Sequence, residues 1–98
     1  MLRHIVMMKF KDTEPVDDLR NDFKNSLLGL LDSIQDLKRM EVGLNINTGK
    51  SAYDLVLTAD FIDEEGLNAY RVHPDHVKIL NKMKKVVEKT AAVDYFLE

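Results

Sequence analysis

The chain contains no cysteine. Disulfides, thiolate chemistry and zinc–sulfur sites are excluded together, and the composition fits a cytoplasmic setting. No apolar run approaches the roughly 18 residues of a membrane span. The opening Met1-Leu2-Arg3-His4-Ile5 enters a strand pattern at once and lacks the long apolar stretch and cleavage site of a signal peptide. Charge of one sign does not dominate either: the net charge is −3, with both signs mixed along the chain. The densest basic run, Lys82, Lys84, Lys85 and Lys89, is expected on a solvated helix face. Nucleic acid and membrane are therefore not expected partners. Repeats, linkers and low-complexity segments are absent too. Proline occurs twice, and Pro15 and Pro74 each mark a helix boundary.

What is present is an ordinary globular balance over 98 residues, 45% hydrophobic and 32% charged. That is the length of a single domain, spanning 1–98. In residues 2–10, Leu2, His4, Val6, Met8 and Phe10 share one strand face, and Arg3, Ile5, Met7 and Lys9 the other. Beyond Pro15, the apolar positions Val16, Leu19, Phe23, Leu27, Leu30, Ile34 and Leu37 recur at helical steps. Gly29 lies inside that helix, where it costs roughly 1 kcal/mol relative to alanine. Residues 38–47 and 53–61 alternate again, the first with Met40, Val42, Leu44 and Ile46 on one face. A turn cluster joins these segments into an antiparallel hairpin. Asp63 is placed to cap a helix over 64–72. After Pro74 a second helical piece is expected over 75–88, with Val77, Leu80, Met83 (or Lys84) and Val87 near its stripe. A last strand, 91–97, sets Val93, Tyr95 and Leu97 opposite Ala92, Asp94 and Phe96.

The order β-α-β-β-α-β predicts a ferredoxin-like α+β sandwich with a four-stranded antiparallel sheet. The first and third strands should sit in the centre, with the helices on one face. The other face then carries apolar centres such as Ile5, Met7 and Val56. Burial by a second copy would remove several hundred Å² of apolar surface, at about 25 cal/mol per Å², so a homodimer is expected. Arg3, Lys9, Glu41, Asp54 and Asp60 on that face allow an open monomer as the alternative, or pair across an interface.

Three histidines and Tyr70 carry the possible chemistry. Histidine is the side chain suited to proton transfer near neutral pH. His76 can take a proton while Tyr70 holds a developing oxyanion. His4 lies on the apolar face with Val6 and Met8 and can point into the same space, and Asp94 can orient a histidine. Each has a structural alternative. His73 can bond backbone groups at the helix start, His76 and His4 can be structural histidines, Asp94 a structural acceptor, and Tyr70 a core residue. His73, Asp75, His76 and His4 also form a nominal metal set, but Pro74 disturbs the spacing and no further carboxylate completes it. Neither a metal nor haem is expected.

The segments Arg3–Lys11, Glu41–Asn45, Tyr53–Leu57 with Ala59-Asp60-Phe61, and Val93-Asp94-Tyr95, together with the Tyr-x-x-His-Pro-x-His stretch Tyr70–His76, resemble the stress-responsive A/B barrel (Dabb) family. The resemblance runs over about residues 1 to 97. It implies a ferredoxin-like protomer, a homodimer with a barrel-like interface between sheets, and a small apolar ligand pocket between helices and sheet in each protomer. It implies no cofactor. Many members have no assigned activity. Some plant members are cofactor-independent polyketide cyclases in which a tyrosine and the second histidine of the motif do acid–base work; here these are Tyr70 and His76, with His4 as the first-strand histidine. The expected pocket includes Val6, Met8 and Phe23, beside Asp94 and His73. Its third strand lacks a histidine and its first helix a tyrosine, making it more aliphatic than the cyclase pocket. The resemblance implies an uncharacterised homodimeric ligand-binding domain. The alternatives are a cyclase, lyase or isomerase of small carbonyl compounds and, further off, a monooxygenase-like dimeric barrel.

Overall fold

Alternation in residues 2–10 produces the first strand of a computed structural model that describes all residues, 1–98. β1 (Leu2–Phe10) buries Leu2, His4, Met8 and Phe10 on one face. α1 (Val16–Ser33) lays Phe23, Leu27 and Leu30 against the sheet. β2 (Arg39–Leu44) and β3 (Leu55–Phe61) pair antiparallel, from Arg39 opposite Asp60 to Leu44 opposite Leu55. α2 (Glu64–Val72) and α3 (Pro74–Val86) follow, and β4 (Val87–Phe96) closes the sheet. The strand order is β2-β3-β1-β4, every pair antiparallel. The helices cover one face, and the core lies between them and the sheet.

Local chemistry explains the boundaries. Asp63 caps α2 through Oδ1, which accepts from the Gly66 N–H at 2.9 Å. The His73 ring takes the same role for α3: Nδ1 accepts from the Asp75 N–H at 3.1 Å, and Pro74 fills the first helical position. α1 stops at Ser33, short of the expected Leu37. Ser33 Oγ reaches back to the Leu30 carbonyl at 3.5 Å, serine and aspartate are weak helix formers, and Ile34 turns extended. Ile34 and Leu37 nevertheless remain buried, delivered to the core by the turn.

Three further expectations are corrected. Ile46 lies beyond β2 and is almost fully exposed. Asn45 ends the strand by donating its side-chain amide to the Tyr53 carbonyl at 2.6 Å. In α3, Ile79 and Met83 are the buried residues, while Val77 faces outward. The cap at His73 sets the helix phase so that His76, Ile79, Leu80 and Met83 turn inward. β4 begins at Val87 rather than Ala91, because backbone pairing with β1 through a bulge at Lys9/Phe10 proceeds regardless of the polar Glu88, Lys89 and Thr90.

Gly29 serves no packing purpose. A Cβ there would meet nothing within 4 Å, and the residue is exposed within a helix interior. Gly29→Ala should therefore stabilise the fold by roughly 1 kcal/mol, read as a higher urea midpoint with an unchanged slope. An unchanged or lower midpoint would contradict this account of α1.

Candidate functional site

Two helix phases and one strand face meet in a single place. Tyr70 lies on the inward face of α2 with Gly66 and Leu67. His76 lies on the inward side of α3, and His4 on the helix side of β1, where Asp94 of β4 stands directly opposite it. They surround a cavity of about 340 Å³. Its polar lining is His4, Tyr70, Arg71 and His76, and its apolar lining is Val6, Met8, Leu27, Leu57, Leu80 and Met83.

Tyr70 is the centre of the site. Its ring lies 4.2 Å from that of His76 and 5.1 Å from that of Phe61, centroid to centroid. The His4 ring meets it edge-on at 6.4 Å. The residue is 1% exposed, and its buried hydroxyl has no hydrogen-bond partner within the protein. Burial raises its pKa well above the ordinary tyrosine range, so the hydroxyl stays protonated and can donate.

Each of the two lining histidines is fixed by one ring nitrogen. His76 Nδ1 lies 3.1 Å from the Arg71 carbonyl. A carbonyl only accepts, so Nδ1 carries the hydrogen, and Nε2 carries the lone pair of the neutral ring. Burial lowers the His76 pKa, and the nearby Arg71 guanidinium lowers it further, against the opposing Arg71 carbonyl. Near neutral pH His76 is thus an uncharged base. His4 Nδ1 bonds Asp94 Oδ1, leaving its Nε2 free as well. Asp94 Oδ2 accepts from Arg71 Nη2 at 3.0 Å, so one carboxylate ties β1 to α2.

Of the expected residues, His4, Tyr70, His76, Val6 and Met8 line one cavity, with Asp94 hydrogen-bonded at its edge. Two expected members are elsewhere. Phe23 stacks on Phe10, centroids 5.7 Å apart, and borders a different groove of about 600 Å³ between α1 and α3. That larger groove is lined by solvent-exposed Asp22, Asn25, Ser26, Lys82 and Lys85 and contains no buried unpaired group. His73 is committed to its capping bond. No three histidine or acidic side chains gather into a metal-binding group. Arg71 is the polar lining residue that the sequence pattern does not single out; Leu27, Leu57, Leu80 and Met83 complete the apolar lining. It occupies an unspecified position of the Tyr-x-x-His stretch, and only its hydrogen bond from α2 to Asp94 on β4 reveals it.

The depressed His76 pKa makes stability pH-dependent. The unfolded chain takes up this proton near 6.5, before the folded state does. The stabilisation is complete above that pH and is lost as pH falls through it toward the lower folded value. His76→Asn, which keeps a donor for the Arg71 carbonyl, should flatten the fall in urea stability between neutral and mildly acidic pH. A slope equal to that of the wild type would show that His76 is not held neutral.

Comparison with known proteins gives a consistent family. The family model described as Stress Responsive A/B Barrel Domain matches residues 2–97. The stress-response A/B barrel domain-containing protein DABB1 of Arabidopsis thaliana is 30% identical over 100 residues, covering all of this chain. The chain spans about half, 48%, of that protein's length. A dimeric protein of unknown function and ferredoxin-like fold from Bacteroides fragilis superposes with a TM-score of 0.89 at 31% identity, covering 98% of this chain and 95% of its own. A hydroxynitrile lyase from Passiflora edulis shares the fold at a TM-score of 0.84 and 13% identity, with 99% and 93% covered.

Proposed function

Because the chain belongs to the stress responsive A/B barrel domain family, we propose that it is a homodimer whose protomers each bind a small carbonyl compound, on which Tyr70 and His76 carry out proton transfer without a cofactor. The observation that carries this reading is the buried, unpartnered Tyr70 hydroxyl beside an uncharged His76. An unsatisfied buried hydroxyl costs about 1–3 kcal/mol, and a ligand carbonyl oxygen would accept its hydrogen bond. The same bond strengthens as that oxygen becomes an enolate or alkoxide. His76 Nε2 is the base that removes the proton. His4, held by Asp94, is the second ring able to return one. These roles suit a lyase, cyclase or isomerase. The apolar lining limits the ligand to a compact aliphatic or aromatic body.

The sheet's open face supports the dimer. Met7, Val56, Val93 and Tyr95 are all more than a third exposed there. Four of the charges around them are paired within the protomer: Arg3 grips Asp60 through Nε and Nη2 at 2.9 and 3.0 Å, and Arg39 meets Glu41 at 2.8 Å; Lys9 and Asp54 bond backbone groups instead. A face with an apolar centre and most of its charges paired fits a second copy of itself. The dimeric Bacteroides protein has the same fold.

Two experiments test this reading. Histidine NMR titrations with a panel of small ketones and aldehydes should shift His4 and His76 together, and Tyr70→Phe should weaken the response several-fold. Independent, ligand-blind histidines would remove the shared pocket, and binding without turnover would leave a ligand-binding protein. Met7→Glu, which sets a charge in the middle of the open face, should convert the dimer to a monomer in sedimentation equilibrium. A dimer that survives Met7→Glu would place the interface elsewhere.

A further inference from the structure

Arg71 gives the cavity a chemistry that the tyrosine and histidines do not. It is the one permanently charged side chain in the lining. Its guanidinium is clamped at the rim: Nη1 donates to Asn68 Oδ1 at 3.3 Å and Nη2 to Asp94 Oδ2 at 3.0 Å. The side chain is still 47% exposed, and Nε–H and one hydrogen on each Nη remain uncommitted. A planar fork already held by two partners loses little freedom when it takes a third.

Asp94 occupies only one Nη of this fork. Its carboxylate is divided between His4 on Oδ1 and Arg71 on Oδ2. The polar end of the cavity thus carries a guanidinium with unused N–H donors, while Val6, Met8, Leu57 and Leu80 make the remainder apolar. A cationic fork at one end of an apolar cavity is suited to an anion with a greasy body.

We propose that the ligand of this cavity is a small carboxylate with an apolar body, its carboxylate docked on Arg71 and its carbonyl oxygen against the Tyr70 hydroxyl. This rests on the pocket reading above and narrows it to keto acids and related acyl carboxylates. Arg71 is then a specificity-determining residue, and the Asp94 bridge aims its fork across the rim.

Three probes test it: 4-methyl-2-oxopentanoate, its methyl ester, and 4-methylpentanoate, titrated at fixed neutral pH with the His76 ring resonance as readout. The acid should bind the wild type about tenfold more tightly than the ester, the value of one charge-assisted pair. Arg71→Gln should erase that preference. Tyr70→Phe should weaken acid and ester alike and preserve their ratio, and 4-methylpentanoate should bind with the same dependence on Arg71. Equal affinity of the wild type for acid and ester overturns the carboxylate proposal and leaves the carbonyl pocket standing. So does a preference that survives Arg71→Gln. If none of the three compounds moves His76, both readings fall.

Discussion

The site depends on the break between α2 and α3. In one continuous helix, residues six apart lie about 120° apart around the axis, so Tyr70 and His76 would face different neighbours. Here His73 is extended, at φ −63° and ψ 134°, and its ring caps the second helix while Pro74 starts it. The chain changes direction and the helix phase is reset. Tyr70 ends one inward face and His76 begins the next, so their rings come within 4.2 Å. Two residues with no acid–base role of their own thus bring together the pair that has one.

The sheet supplies the second half of the geometry. Strict alternation along β1 sends His4 to the helix side and Arg3 to the open side. Each then meets an acidic partner from a neighbouring strand. On the helix side Asp94 accepts from His4 and is shared with Arg71; on the open side Asp60 is nearly buried beneath Arg3. The Arg3 guanidinium holds the Asp60 pKa below the usual carboxylate range, which keeps that pair ionised and self-contained. The two ion-paired clusters do different work. One pairs two charges beside the apolar centre of the outer face, and the other organises polar groups at the rim of a cavity.

Much of this was legible from local pattern. Alternation and helical spacing gave the element order, and the β-α-β-β-α-β topology followed from short, right-handed connections. The Tyr70–His76 stretch marked the candidate pair, and Asp94 was placed on the correct strand face to orient a histidine. The errors lie where local pattern competes with tertiary contact. The stripe of α3 was read through Val77 because its phase depends on a side-chain cap rather than on hydrophobic spacing. The start of β4 was placed late because ladder hydrogen bonds, not apolar side chains, hold Val87 to Thr90 in the strand. Phe23 was assigned to the pocket from its place on the apolar stripe of α1, but that stripe is longer than the cavity and Phe23 packs at another point along it.

The sequence by itself determined the fold, the faces of each strand and the residue types available for chemistry, because periodicity and turn chemistry act over a few neighbouring residues. It could not rank its three histidines. One caps a helix, one is tied to a carboxylate, and one is half-buried and uncharged beside an unpartnered tyrosine. Those differences arise from contacts between residues far apart in the chain, such as His4 with Asp94 and Arg71 with Asp94. Burial and hydrogen-bond satisfaction are properties of the packed whole, and only the tertiary structure decided which polar groups were left free to meet a ligand.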